Sequence, residues 1–347
     1  MPKIGVFMFQ DFGYPAYMES ARLAEESGFD IFGLIDSTDA YSDYCPWAGL
    51  VAVDTSKILV GPWVTNPLTR HPRVTANHML TIHELSRGRA VLGLGTGANA
   101  VRTLGWEPAK HSVMREAMET FRNKFKEKKA DIPIYVGTGG PLNTKMAMQM
   151  ADGIIGAGVG GIHSSAEGVL AGIEHLKAMA KEVGRDFNTL SIKFQVGFAI
   201  SHNRKEAIEE MKWSVSSMMR GIFVERERRS TIQPSTLPPD LEHFREEARR
   251  VGEAYDWFDH MRSHSPNGQL ARHAQASDEL VEAVGLLAGT PAEVLPRFKT
   301  LWQAASSMPN VGMIIQPHGS KGGRKRSFDL FVKEILPKLR SQRLLHK

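Results

Sequence analysis

The feature that most constrains the fold is a regular alternation of short apolar segments with segments whose apolar residues recur at helical spacing. The apolar segments predict eight β-strands, at 3–9, 30–36, 57–65, 90–95, 132–136, 152–157, 190–200 and 311–316. Helices are predicted at 17–28, 74–85, 113–126, 143–150, 166–184, 205–219 and 327–339. Such alternation builds a parallel sheet with right-handed crossovers. Eight units favour a closed (β/α)8 TIM barrel, an α/β fold, over an open doubly wound sheet.

A long charged segment interrupts this pattern before the last strand. It covers residues 221–310 and contains Pro234, Pro238, Pro239 and Pro266. Helical spacing recurs inside it at 240–262 and 278–287. We therefore predict a single TIM-barrel domain over 1–347, with 221–310 as a mostly helical insertion between units seven and eight.

The composition is that of an ordinary globular protein. Hydrophobic residues make up 42% of the chain and charged residues 23%, which excludes a disordered polymer or a fibrous repeat. No apolar run approaches the roughly 20 residues of a membrane helix, and the N-terminal stretch lacks a signal-peptide pattern. A single cysteine, Cys45, cannot form an internal disulfide. These features favour a cytoplasmic protein with no membrane partner.

The net charge is modest and weakly patterned. It amounts to +5, and part of the excess lies within 321–347. No basic stripe interleaved with aromatic residues is present, so we expect no nucleic-acid partner.

Glycine-rich sequences follow three consecutive predicted strands. They are GTGAN at 95–99, GTGGP at 137–141 and GAGVGG at 156–161. In a TIM barrel, chemistry gathers at the C-terminal ends of the strands. Glycines there let the backbone approach a ligand closely, and clustered backbone N–H groups favour phosphate. We predict a ligand site at these ends, with simple tight turns as the alternative.

Polar side chains follow strands two and three. Asp36 ends strand two, where it accepts a proton or a ligand hydrogen bond, or caps a turn. Strand three runs into GPWVTNPLTRHP at 61–72, whose prolines and tryptophan suggest a rigid wall. His71 in this segment either bonds a substrate or braces the loop. The chain has no G-x-S-x-G elbow and no HExxH pattern, so neither a serine hydrolase nor a metal site is predicted.

In combination, these motifs resemble the luciferase-like monooxygenase superfamily. They are most similar to its coenzyme F420-dependent, methylenetetrahydromethanopterin-reductase-like branch. The resemblance rests on VGPWVTNPLTRHP at 60–72, ELSRGR at 84–89, VLGLGTGAN at 91–99, DIPIYVGTGGP at 131–141 and ADGIIGAG at 151–158. It implies a TIM barrel with a flavin-like ring at its C-terminal mouth. It also implies a non-prolyl cis peptide behind that ring, here within Pro62-Trp63-Val64.

The resemblance further implies a set of site residues. The implied cofactor contacts are Ser37, Trp63, Val64, Thr65, Thr96, Gly97, Asn99, Gly137, Thr138, Gly139, Gly158 and Val159. Some relatives carry Glu after the strand-four glycines, where this chain has Ala98. The proton-transferring group is therefore left open among Asp36, His71 and Gln10.

The expected activity is hydride transfer between coenzyme F420 and a small organic substrate. The alternatives are an FMN-dependent luciferase-like monooxygenase and a non-catalytic flavin-binding protein. F420 is favoured by SKGGRKR at 320–326, predicted as a flexible loop whose four cations follow the carboxylate tail that FMN lacks. The family also implies a homodimer.

Overall fold

The computed structural model describes residues 3–38, 40–138, 140–156, 165–226, 237, 239–255, 276–284, 287–319 and 321–345. Its strands are β1 Ile4–Met8, β2 Ile31–Leu34, β3 Leu59–Pro62, β4 Leu92–Leu94, β5 Ile134–Gly137, β6 Gly153–Ile155, β7 Ser191–Ile200, β8 Leu287–Gly289 and β9 Val311–Pro317. Its helices are α1 Tyr14–Glu26, α2 Tyr44–Asp54, α3 Pro72–Leu85, α4 Ala98–Arg102, α5 His111–Glu127, α6 Pro141–Met150, α7 Ala166–Glu182, α8 Arg204–Arg220, α9 Arg245–Ala254, α10 Asp278–Ala283, α11 Pro291–Ala305, α12 Lys321–Leu330 and α13 Leu336–Ser341. All eight predicted strands are present, several of them shorter than predicted.

The strands form a nearly closed parallel barrel. The hydrogen-bonded order is β3-β2-β1-β9-β7-β6-β5-β4. Two bridges, Val60 to Ala90 and Thr65 to Leu94, join the flanks of β3 and β4 and bring the two ends of the sheet together. The predicted (β/α)8 barrel is therefore confirmed.

Two layers of apolar residues support the barrel. The larger cluster lies between the strands and the surrounding helices. A smaller cluster fills the interior and includes the rings of Phe7, Trp63 and Tyr135. Glycines on neighbouring strands make room for these rings, since a Cβ at Gly33 would lie 2.6 Å from the Trp63 Cβ. The interior is thus a packed floor beneath the C-terminal mouth.

The segment between β7 and β9 departs from the predicted pattern in two ways. Residues 287–289 form the short strand β8, which pairs with the end of β7, whereas the sequence analysis assigned residue 287 to a helix end. Helix α11, which packs against α7 in the outer layer of the barrel, was not predicted. Its prolines at 291 and 296 obscure the helical pattern, because proline is usually read as a break.

The remainder of this segment packs around helix α8. Met211, Val215 and Met219 of α8 form an apolar cluster with residues of α9 and α10. The cluster reaches the barrel at Ala199 of β7. The assignment of 1–347 to one domain stays a prediction. Among the described helices, none is both long and apolar enough to span a membrane.

Helix α2 was also missed by the sequence analysis. It buries Tyr44, Ala48 and Val51, but it also exposes Leu50 and Val53. Because apolar residues surround this helix, it lacks the one-sided periodicity that marks an amphipathic helix.

Candidate functional site

A cavity of about 420 Å³ opens at the C-terminal ends of the strands. Eight of the residues that the sequence analysis placed in the site line it: Asp36, Ser37, Trp63, Val64, Thr96, Gly97, Gly137 and Thr138. Strands far apart in the sequence contribute to the lining, because parallel strands end on the same rim of a barrel.

One wall of the cavity is built where β3 ends. The Trp63–Val64 peptide bond is cis, as the family resemblance implied. The Trp63 ring packs against Tyr135 in the floor, with 5.2 Å between ring centroids. Gly95 on the next strand leaves room for this wall, since a Cβ there would lie 2.7 Å from Val64 Cγ2. Trp63 and Val64 therefore contribute apolar surface to the cavity.

The glycine turn after β4 needs its glycine. Gly97 has φ +78°, which side-chain-bearing residues rarely adopt, and a Cβ there would lie 2.8 Å from Asn66. Thr96 lines the cavity beside it. The backbone of Asn99 lies in α4, and its side chain is outside the described residues.

The end of β5 carries a hydroxyl group without a partner. Thr138 lines the cavity, and its Oγ1 is buried with no hydrogen-bond partner in the described part of the chain. A buried hydroxyl in this state costs free energy until a ligand or water bonds it. Gly139, Gly158 and Val159 lie outside the described residues.

Asp36 is held in a charged network at the rim. Its carboxylate accepts hydrogen bonds from Thr65 Oγ1 at 2.6 Å and from Arg70 Nη1 at 2.9 and 3.0 Å. Arg70 also pairs with Asp43 at 2.9 Å. Burial opposes the charge of Arg70, but the carboxylates of Asp36 and Asp43 outweigh it and raise the pKa of Arg70. The pairing of Asp36 with Arg70 was not predicted from the sequence.

Three predicted site residues bond to other groups of the protein and do not line the cavity. Thr65 is buried and donates its hydroxyl to Asp36. His71 is exposed, and its Nδ1 accepts from the backbone N–H of Arg73, so it caps α3. Gln10 is buried and donates to the carbonyl oxygen of Ile35. None of the three is among the residues that line the cavity. For His71, the loop-bracing alternative matches this geometry.

The structure adds cavity residues that the sequence analysis missed. Gln195 of β7 and Gln316 of β9 line the cavity and share a hydrogen bond of 2.7 Å. Trp213 of α8 also lines it. A signal for Gln195 was present in KFQVG at 193–197, where a polar residue interrupts an apolar strand. No comparable signal marked Trp213, because it lies inside the helix that follows β7 and not at the end of a strand.

The prediction of a flexible basic loop after the last strand is wrong. Residues 321–330 form helix α12. Arg324 is fully buried, pairs with Asp11 and lies 4.0 Å from the centroid of the Phe9 ring. The ammonium of Lys325 pairs with Asp329 at 2.7 Å.

Arg326, in the same helix, is also engaged. It pairs with two carboxylates of α8, Glu206 and Glu210, at 2.7 Å each. Three of the four cations assigned to a cofactor tail thus have carboxylate partners within the chain. Ser320 and the side chain of Lys321 lie outside the described residues.

A cavity at the C-terminal mouth of a (β/α)8 barrel, with glycine turns beside it, lies where barrel proteins of this class bind their small-molecule ligands. Residues 3–307 match the family model described as luciferase-like monooxygenase. The chain belongs to this family.

Named relatives extend over nearly the whole chain. It is 27% identical to 5,10-methylenetetrahydromethanopterin reductase from Archaeoglobus fulgidus, over 97% of this chain and 100% of the relative. It is 26% identical to the enzyme of the same name from Methanopyrus kandleri, over 91% of this chain and 92% of the relative.

A solved structure shares the fold. The coenzyme F420-dependent tetrahydromethanopterin reductase from Methanopyrus kandleri superposes with a TM-score of 0.71 at 22% identity. The match covers 97% of this chain and 99% of that chain.

Proposed function

We propose that this protein is an F420-dependent oxidoreductase that transfers a hydride between the deazaflavin and an organic substrate at the mouth of the barrel. The observation that carries the proposal is a cavity at the barrel mouth that is lined by Trp63 and Val64 and by Thr138, whose hydroxyl has no partner in the described part of the chain. The solved structure from Methanopyrus kandleri, described as coenzyme F420 dependent, supports the choice of cofactor. Bound F420 would supply the carbon centre that gives or accepts the hydride.

The residues present fit a ring with a hydroxylated side chain. The ring would lie against Trp63 and Val64, where burial of apolar surface favours binding. The hydroxyl of Thr138 would bond a polar edge or the side chain of the cofactor. Gly97 and Gly137 line the cavity without side chains, so they leave space for the cofactor beside the wall.

Asp36 is the best-placed ionisable group for the chemistry. Of the candidates Asp36, His71 and Gln10, it is the one that lines the cavity. Its bonds to Arg70 and Thr65 fix the carboxylate in one orientation. We assign Asp36 the role of holding a donor group of the substrate or cofactor in place, with Arg70 positioning it.

The test is a side-by-side titration of the purified protein with F420 and with FMN, followed by cofactor fluorescence. We expect a dissociation constant for F420 at least about tenfold below that for FMN, which corresponds to about 1.4 kcal/mol. Arg324, Lys325 and Arg326 are engaged within the chain, so the preference should not depend on them.

Two outcomes would contradict the proposal. A protein that purifies with tightly held FMN and ignores F420 would support an FMN-dependent monooxygenase. Tight binding of F420 with no reduction or oxidation of it by any substrate offered would favour a non-catalytic binding protein.

A further inference from the structure

The order of the strands places β3 and β4 on one side of the cavity and β7 and β9 on the other. Because bridges join β3 to β4, the circular strand order is β1, β2, β3, β4, β5, β6, β7, β9. Strands β7 and β9 therefore lie across the barrel from β3 and β4. A cofactor ring held against Trp63 and Val64 would leave the side of β7 and β9 for the substrate that exchanges a hydride with it.

Two glutamine side chains occupy that side. Gln195 Nε2 donates to Gln316 Oε1 at 2.7 Å, and neither side chain makes another hydrogen bond within the described ranges. Gln195 is exposed, and since it lines the cavity, its amide is open to a ligand there. Whichever way the two amides are turned, one bond between them leaves an amide oxygen and an NH₂ group side by side.

The described residues that line the cavity offer no cation to an anionic substrate. Among the described lining residues Asp36 carries the one charged side chain, and it is already paired with Arg70. A phosphate or carboxylate near Gln195 would lose its hydration without gaining a counter-ion. The lining therefore favours an uncharged group at this position.

Helix α8 contributes an aromatic side chain to the cavity. Trp213 of α8 is 6% exposed and lines the cavity. Its ring packs on His318, which follows β9, with 5.2 Å between centroids. The helix that follows β7 thus brings a large flat side chain to the same cavity as the glutamine pair.

We propose that Gln195, Gln316 and Trp213 form a substrate subsite selective for an uncharged, planar compound that carries a carboxamide or an equivalent adjacent donor and acceptor. The subsite disfavours phosphorylated and carboxylate substrates. This inference rests on the proposed function, because the ring of F420 defines which side remains for the substrate.

The test uses two probes that share one ring. Protein saturated with F420 is titrated with nicotinamide, which carries a carboxamide, and with nicotinate, which carries a carboxylate, and binding is followed by saturation-transfer NMR. Nicotinamide has the donor and acceptor that match the open amide groups. We expect it to bind at least about tenfold more tightly than nicotinate.

Substitutions assign this preference to the glutamine pair. The double variant Gln195→Leu, Gln316→Leu should lose the preference and hold F420 within about twofold of the wild-type affinity. If the buried Gln316 proves necessary for folding, the single variant Gln195→Leu still tests the proposal, because it leaves Gln316 in place. Gln195→Lys should reverse the preference in favour of nicotinate. Gln303→Leu, an exposed position on α11, is the matched control and should change neither affinity.

The outcomes distinguish a failure of the subsite proposal from a failure of the proposed function. Failure of F420 to bind the wild-type protein would overturn the proposed function, and with it the assignment of this side to the substrate. Normal F420 binding with equal affinity for the two probes would overturn the subsite alone. A tenfold loss of F420 affinity in the double variant would show that the pair contacts the cofactor, which would also overturn it.

Discussion

At the residue scale, we expect the hydroxyl of Thr138 to contribute to cofactor binding and not to the stability of the fold. Its hydroxyl is buried at the cavity with no partner in the described part of the chain. We expect Thr138→Val to leave the stability of the cofactor-free protein unchanged or to raise it by up to about 1 kcal/mol, because an unbonded polar group is removed. F420 affinity should fall by about fivefold, since one hydrogen bond is lost.

Denaturant unfolding and F420 titration of the same preparations measure the two effects. Thr300→Val, at an exposed position on α11, is the control for a hydroxyl lost elsewhere and should leave F420 affinity unchanged. A loss of stability at Thr138 without any loss of affinity would remove this residue from the cofactor site. Thr96 also lines the cavity, so Thr96→Val should likewise lower F420 affinity.

At the element scale, one carboxylate joins α1 to the turn before β3. Glu25 Oε2 accepts backbone N–H bonds from Ser56 at 2.8 Å, Lys57 at 2.6 Å and Ile58 at 3.0 Å. Partial burial alone would raise the pKa of Glu25, but these bonds lower it below its ordinary value of 4.5. We expect Glu25→Gln to lower the free energy of unfolding at pH 7 by about 1–2 kcal/mol.

The pH dependence of this difference follows from the lowered pKa. The ionised carboxylate stabilises the fold fully above its unfolded-state pKa near 4.5, and this stabilisation is lost as the pH falls through the lower folded-state value. Urea unfolding at pH 7 and at about pH 3 should therefore show a gap between wild type and variant that shrinks in acid. Glu26→Gln, on the exposed side of the same helix, should show no such gap. A gap that stays constant with pH would contradict this account.

At the scale of the whole molecule, a buried ion pair crosses the base of the barrel interior. Lys193 of β7 pairs with Asp30, which precedes β2, at 2.5 Å, and its ammonium also donates to the carbonyl oxygen of Lys3 at 3.0 Å. The Lys193 side chain is 3% exposed. Lys193→Met should lower the free energy of unfolding by about 3–5 kcal/mol, because the charge of Asp30 is left buried without its partner.

A double variant distinguishes the contribution of the ion pair to stability from the contribution of side-chain packing around it. Lys193→Met with Asp30→Leu should recover most of the lost stability, since no charge remains unpaired. Lys145→Met removes one partner of the exposed pair Lys145–Glu182 and should cost less than about 1 kcal/mol. Stability is measured by thermal unfolding. If the single and double variants lose equal free energy of unfolding, packing and not charge stabilises the base of the barrel.

The sequence alone determined the architecture and the rim of the site. The eight apolar strands and their order predicted the barrel, because alternation of strands and helices has few parallel solutions. The rule that sites gather at C-terminal strand ends then brought Asp36, Thr96 and Gly137 to one cavity. Local residue chemistry was sufficient here, since each of these residues lies directly at the end of its own strand.

Only the tertiary structure decided which partners those residues have and what faces them. The pairing of Asp36 with Arg70, the burial of Arg324 against Asp11 and the glutamine pair from β7 and β9 each join segments far apart in the sequence. A sequence shows which groups carry charge or can form hydrogen bonds. Whether these groups find partners depends on distance and burial in the folded chain. For this reason the segment at 321–326 suggested a free basic loop for a cofactor tail, whereas in the folded chain Arg324, Lys325 and Arg326 are paired with carboxylates.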